Sequence, residues 1–309
     1  MENLNIKIVG LGDGGARAIS KMIAADIGKT AGVEFMAVGN DENILLNSTA
    51  RKNIFLNRDL TTIYKNFADA LSGAQLIFIV GGIGGHAARA AVPVITSCAK
   101  NLGAVTVAFV CKPFVMENFL RKNNAEYTLA NLRDKVDTLF VVPAEKFFLF
   151  RINQPEISLD ELFDAANDVF CQGVKIFLDM LPQSDSDLAI FRWGTAEFGY
   201  GEGKTPLEAI KAAAKFPTIE LDAIQNAAGI FVRLISSKMM KLSSVEAANN
   251  FIKEQLPPDA EFFLHEDKDP ALDEKIFASI ILTRKTAEAT TNNAAEGGIR
   301  SLFTKEENF

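Results

Sequence analysis

Histidine is almost missing from this chain of 309 residues, which holds only His86 and His265. A zinc site of several histidines is therefore excluded, and little is left from which to build a Ser-His-Asp triad. Cysteine is nearly as scarce. Cys98, Cys111 and Cys171 sit in apolar runs without metal-ligand spacing, so no metal site is expected and all three read as reduced core thiols of a cytoplasmic protein. There is no excess of positive charge, with 32 basic against 39 acidic residues, a net charge of −7 and a pI near 5.1. That balance argues against a nucleic-acid or anionic-membrane surface as the main partner. No apolar run is long enough to cross a bilayer; Leu102 to Cys111 is short and interrupted by glycine. The opening MENLNIKIVGLG has no basic n-region and reads directly as a strand, so neither a signal peptide nor direct membrane insertion is expected. No internal repeat is visible. What remains is an ordinary composition, 48% hydrophobic and 23% charged, at a length that suits two units of roughly 150 residues each.

Five β-branched runs punctuate the first half: Ile6–Val9, Phe35–Val38, Leu76–Val80, Val105–Val110 and Leu139–Val142. They are continuously apolar rather than alternating, as strands covered on both faces must be. Helical stretches such as Ala16–Ala25 and Ala87–Lys100 lie between them, which predicts βαβ units in a parallel, doubly wound α/β sheet. Ligands of such sheets sit at the carboxyl ends of the strands. A capping box, Ser158-x-x-Glu161, then opens the clearest helix, whose apolar residues recur at helical spacing to Leu181 before Pro182. At 1.5 Å per residue that helix spans roughly 35 Å. The second half reads as a smaller α+β domain. Its helices are signalled by Thr205-Pro206 and a capping box Ser243-x-x-Glu246, and its strands by Ile230–Ile235, Glu261–Leu264 and Lys275–Leu282. The expected divisions are 1–157, 158–182 for the helix, 183–284, and a flexible tail 285–309. The tail carries a short amphipathic patch, Ile299 to Phe303, which is either frayed or a docking peptide that folds on a partner.

Two glycine-rich strand-to-helix turns are the strongest chemical signal. The first, Gly10-Leu11-Gly12-Asp13-Gly14-Gly15, lets backbone approach a phosphate whose charge the helix N-terminus favours. Gly10, Gly12 and Gly15 also satisfy the dinucleotide pattern G-x-G-x-x-G, with Asp41 as a ribose acid, so an NAD-dependent oxidoreductase and a ligand-free tight turn are the alternatives. The second turn, Gly81-Gly82-Ile83-Gly84-Gly85, leads to a helix opening near His86. Two such turns at one sheet edge suit a mononucleotide polyphosphate held from both sides.

From Ile6 to Arg284 the sequence resembles FtsZ of the tubulin superfamily. The resemblance rests on IKIVGLGDGGARAISKM, EFMAVGNDENILL, LGAVTVAFVCKPF with Glu117, VDTLFVVP, AANDVFCQGV and the final DAEFF to IILTR. It implies a GTPase-type sheet domain, a long central helix, and a smaller C-terminal domain whose catalytic loop completes the next subunit's site in a filament. GTP or GDP is the implied cofactor, with magnesium accompanying the phosphates. The implied partners are further copies, head to tail, or another FtsZ.

Carried over residue by residue, the resemblance makes Gly12, Asp13, Gly14, Gly15, Asp41, Gly82, Gly84, Gly85 and Pro113 candidate nucleotide contacts. Arg17 replaces one of the family's paired asparagines; it either meets a phosphate through its guanidinium or is solvated. Glu117 and Arg121, four apart, match ribose and phosphate contacts, and Phe163 and Asn167, also four apart, match the residues that stack on guanine and read its edge. An aromatic face with an amide suits a flat base, although a core phenylalanine beside a polar asparagine is the plainer alternative. The phosphate side is altered. The family's GGGTGTG is here Gly84-Gly85-His86-Ala87-Ala88-Arg89-Ala90, with His86 either a ligand contact or structural. Arg51 to Phe67 contains no glycine, so the loop that senses the γ-phosphate is expected to be missing. The family's N-x-D-x-x-D becomes Asp185-Ser186-Asp187, catalytic acids or merely a solvated turn. Misplacing such groups by about 1 Å can cost roughly 100-fold. The expectation is therefore a guanine-nucleotide-binding filament protein with slow or absent hydrolysis; the alternative is a nucleotide-independent homologue that caps or co-assembles with a standard FtsZ.

Overall fold

The computed structural model describes residues 4–29, 32–57, 59–149, 158–179, 194–216, 218–220, 222–270 and 272–284. The chain divides into two units, Met1–Gly194 and Thr195–Phe309.

The first unit alternates strand and helix: β1 Ile6–Leu11, α1 Gly12–Ala24, β2 Val33–Gly39, α2 Glu42–Leu46, β3 Lys52–Phe55, α3 Leu60–Leu71, β4 Leu76–Gly82, α4 His86–Leu102, β5 Val105–Lys112, α5 Phe119–Arg133, β6 Thr138–Pro143, α6 Glu145–Leu149 and α7 Leu159–Asp179. Its strands run in the order β3-β2-β1-β4-β5-β6, all parallel, with Ile6 opposite both Val33 and Leu76. Every residue of β1 is buried, as is β4 up to its last glycine, which is why both read as unbroken apolar runs. The chain is therefore α/β with a parallel, doubly wound sheet. The order reverses between β1 and β4, which opens a crevice at their carboxyl ends.

The long helix packs by aromatic contact. Phe177 meets Phe109 edge-on with centroids 5.6 Å apart, and Phe109 stacks on Phe140 at 4.5 Å. Gly173 admits this approach, because a Cβ there would lie 2.6 Å from the Phe109 ring. At the start of α7 the Ser158–Glu161 capping box is formed: Ser158 N donates to Glu161 Oε2 at 2.8 Å and Glu161 N donates to Ser158 Oγ at 3.2 Å. The positions of Leu181, Pro182, Asp185, Asp187 and the tail lie outside the described residues.

The second unit contains β7 Gly194–Gly203, α8 Pro206–Ala214, β8 Ala227–Ser236, α9 Leu242–Lys253, β9 Glu261–Lys268 and β10 Ile276–Arg284. Here β10 lies antiparallel between β7 and β8, and β9 pairs parallel with β8. Thr205 caps α8 as its spacing predicts, accepting from Glu208 N at 3.2 Å. The second capping box does not form. Helix α9 starts at Leu242, with Lys241 as the cap and its carbonyl taking the first bonds from Ser244 and Val245; Ser243 is already inside the first turn. Among the described residues no helix is long and apolar enough to cross a membrane.

Candidate functional site

A cleft of about 260 Å³ opens at the carboxyl ends of β1, β4, β5 and β6. Leu11, Gly82, Cys111 and Lys112 reach it from strand ends, Ala144 from just past β6, and Phe163, Ala166, Asn167 and Phe170 from α7. The last four share one helical face, at spacings of three, four and seven from Phe163.

Two helices begin at this cleft without a side-chain cap. Helix α1 starts at Gly12, inside the expected glycine loop, and its cap position Leu11 offers no side-chain acceptor. Helix α4 starts at His86 after Gly85, again uncapped by a side chain. The first N–H groups of both helices are left for solvent or an anion. Gly12 needs its missing Cβ, with φ at +65°, and so does Gly81 at +138°. The β4–α4 turn is also tied to α5. Asn124, 6% exposed, donates to Gly84 O at 3.4 Å and accepts from Arg89 Nη1 at 3.2 Å. Arg89 lies over the Tyr127 ring at 4.4 Å, which occupies its guanidinium away from the cleft.

On the opposite wall Glu117 accepts from Phe114 N at 2.8 Å and pairs with Arg121, one turn along α5. Lys112 pairs with Glu126 at 2.9 Å. Arg17 donates from Nε to Asp13 at 3.2 Å. Burial pushes the Cys111 thiol well above the ordinary range, with the Glu117 carboxylate adding to the effect, so it is a neutral wall atom rather than a nucleophile.

Phe163 exposes 43% of its surface, unusual for a phenylalanine on an otherwise buried helix face. Asn167 is the reverse: it is 2% exposed, and among the described residues no hydrogen bond satisfies its side-chain amide. A buried amide without partners is costly, on the order of 1–3 kcal/mol.

A profile described as "Tubulin/FtsZ family, GTPase domain" matches residues 58–151. The cell division protein FtsZ 1 of Pyrococcus furiosus is 28% identical over 314 aligned positions, covering 93% of this chain and 82% of that protein. FtsZ of Magnetospirillum gryphiswaldense is 27% identical, over 92% of this chain and 55% of its own length. Among solved structures, a point mutant of FtsZ from M. jannaschii superposes with a TM-score of 0.76 at 25% identity, covering 91% of each chain. Over nearly its whole length the chain is thus similar, in sequence and in fold, to FtsZ of the tubulin/FtsZ superfamily. CetZ2 from Haloferax volcanii, solved as a GTPγS-bound protofilament, shares the fold at a TM-score of 0.76 and 16% identity, over 97% of this chain and 98% of that one.

In this FtsZ-like chain the expected residues mostly converge: Gly12, Asp13, Gly14, Arg17, Gly82, Gly84, Gly85, Pro113, Glu117, Arg121, Phe163 and Asn167 all line the cleft. Three do not. Gly15 lies beneath it, where a Cβ would come within 2.8 Å of Val80 O. Asp41 caps α2, accepting from Asn43 N at 2.9 Å. His86 opens α4 with its side chain exposed. The catalytic-type acids Asp185 and Asp187 lie outside the described residues. Cys111, Ala144, Ala166 and Phe170 escaped sequence reasoning as wall residues. Only Ala166 and Phe170 carried a usable signal, their shared helical face with Phe163.

The link after β3 is short. Residues 56–59 join the strand to α3, with Asp59 as the helix cap accepting from Thr61 N at 3.0 Å.

Proposed function

We propose that this chain binds a guanine nucleotide, GTP or GDP, in the cleft and associates head to tail with further copies. Its role is in cell division or a related cytoskeletal task, with hydrolysis slow or lost. The observation that carries the reading is Asn167: a buried, unsatisfied amide one helical turn from an exposed phenylalanine ring. A flat heterocycle with its own donors and acceptors completes both at once, stacking on Phe163 and bonding to the amide. Glu117 and Arg121 face the ribose and the first phosphate. The uncapped starts of α1 and α4, with Gly12, Gly14, Gly82, Gly84 and Gly85, receive the rest of the polyphosphate. Among the described residues no cluster of three or more acids, cysteines or histidines could hold a metal alone, so magnesium would be held largely by the phosphates themselves.

The reading of weak hydrolysis is supported by the phosphate side. The short connection 56–59 leaves little chain to reach a γ-phosphate, and α4 begins immediately after Gly85. Asp185 and Asp187 remain the candidate acids for attack on a neighbour's nucleotide.

Association is favoured by the rim of the cleft. Val115, Met116, Phe119 and Leu120 are 73%, 85%, 82% and 65% exposed, an apolar cluster of the kind that marks a protein contact. The same cluster supports a second reading, in which the chain caps or co-assembles with a standard FtsZ without needing nucleotide. Calorimetric titration of nucleotide-stripped protein with GDP and then GTP, magnesium present, separates the two. Binding of both with similar affinity is the expected result. Binding of neither would sink the first reading and leave the second in the lead.

A further inference from the structure

Strand β9 ends the order β7-β10-β8-β9, so one of its edges is used by β8. Among the described residues no strand covers the other edge. At eight residues β9 is long for an exposed edge, and Phe262, Phe263 and Leu264 near its start are apolar and half-buried. Phe262 and Leu264 pack against the core of the second unit, and Lys253 of α9 lies over the Phe262 ring at 5.5 Å. Strand alternation puts Glu261, Phe263, His265 and Asp267 on the opposite face. Soluble proteins usually blunt such an edge with charge or by keeping it short. Strand β3 does so, with four residues that open on Lys52 and Asn53. Strand β9 is guarded only in its second half, His265-Glu266-Asp267-Lys268.

Its pattern is self-complementary in one register. Two copies of β9 running antiparallel about a two-fold axis set residues of the same face opposite each other. With the axis at Phe263, Phe263 meets itself, Phe262 meets Leu264, and Glu261 meets His265 at both ends. Apolar residues then face apolar ones, and an acid faces an imidazole. An axis at Leu264 would set Phe262 against Glu266 and Glu261 against Asp267. An axis at His265 would set Leu264 against Glu266 and Phe263 against Asp267. The chain also limits the pairing at its start, where Ala260 N donates to Pro257 O at 3.0 Å and a turn precedes Glu261.

We propose that the outer edge of β9 is an interface for β9 of a second copy, an antiparallel pairing centred on Phe263 that joins two sheets into one. The contact uses the same surface on both molecules, so it is distinct from the head-to-tail association proposed above and does not depend on nucleotide. A pairing from Glu261 to His265 buries far less than the roughly 1,200–2,000 Å² of a stable complex, so single molecules pair weakly. The contact strengthens wherever several copies are already held in a row.

Disulfide trapping on the full-length protein reads the register directly. Burial raises the thiol pKa of Cys98, Cys111 and Cys171, which keeps the native cysteines out of the reaction. Glu261 and His265 are exposed, and cysteine at either should leave the fold intact. In the proposed register Glu261→Cys of one copy lies opposite His265→Cys of the other, within bridging distance. Identical positions lie about 13 Å apart, beyond the reach of a disulfide. A mixture of the two variants, oxidised by air with copper–phenanthroline, should form covalent dimer at least about tenfold faster than either variant alone. Phe263→Cys should cross-link with itself. Equal rates in the mixture and in the single variants would mean random collision and overturn the proposal. Faster self-linking of His265→Cys would move the axis to another residue and overturn it as well.

Discussion

Gly10 and Gly15 face each other so closely that neither can carry a side chain. A Cβ on Gly10 would lie 2.4 Å from Gly15 O, and one on Gly15 would lie 2.5 Å from Gly10 C. This contact presses the first turn of α1 onto β1 and aims its free N–H groups into the cleft. Gly15 therefore acts on the site without touching it. Gly15→Ala should destabilise the fold by about 1–3 kcal/mol, the usual cost of overpacking, and should weaken nucleotide binding by shifting the helix start. Guanidinium chloride unfolding read by circular dichroism checks the first part. An unchanged midpoint would mean that the helix is not held at this point.

Asn167 sets up the opposite trade. Its buried, unpartnered amide costs stability in the nucleotide-free protein, and a leucine of similar size would remove that cost. Asn167→Leu is expected to raise the unfolding free energy of the free protein by about 1 kcal/mol while abolishing guanine-nucleotide binding. Loss of stability together with retained binding would show that the amide is satisfied in some other way and that the base lies elsewhere.

The two residue pairs that line the cleft, Phe163 with Asn167 and Glu117 with Arg121, were legible only through the resemblance to FtsZ; a spacing of four does not by itself mark a site, and Glu117 lies just ahead of α5. The buried central strands were legible from their own residues, since their apolar runs are unbroken. Strand β3 was not among those runs: Lys52, Asn53 and Phe55 are exposed and only Ile54 is buried, as befits the sheet edge. Strand β7 was hidden by its own glycines. Gly199, Gly201 and Gly203 lie on one face, and a Cβ on each would come within 2.3–2.5 Å of α8. Those glycines let the helix lie directly on the strand, yet glycine is the residue that reads least like a strand. Asn124 was invisible for another reason. Its role depends on a contact with Gly84, 40 residues earlier in the chain, and no local pattern reports that.

Cys171 makes stability depend on alkaline pH. Burial pushes its thiol up to about 12, with Lys21 opposing weakly, while an unfolded cysteine titrates near the ordinary 9.0. The folded state therefore holds this proton where the unfolded chain releases it. The contribution is fully present below about pH 9 and is lost progressively as pH rises toward about 12. Cys171→Ala should flatten the alkaline limb of the stability profile, at the expense of a small cavity against α1. An alkaline limb identical to that of the unsubstituted protein would mean that other groups govern it.

The apolar rim gives the most direct handle on assembly. Phe119 and Leu120 open α5 with most of their surface in solvent, while Glu117 and Arg121, beside them in sequence, face the cleft. Residues this exposed contribute little to folding, so Phe119→Ser with Leu120→Ser should change the unfolding free energy by no more than about 0.5 kcal/mol. Nucleotide binding should survive, since neither side chain lines the cleft. Self-association should not: sedimentation velocity should show a marked shift toward monomer at concentrations where the unsubstituted protein assembles. The salt dependence sharpens the reading. A contact built on apolar burial should hold or strengthen as salt rises, whereas one built on ion pairs should weaken. Assembly that persists unchanged in the double variant would move the contact to another face of the molecule.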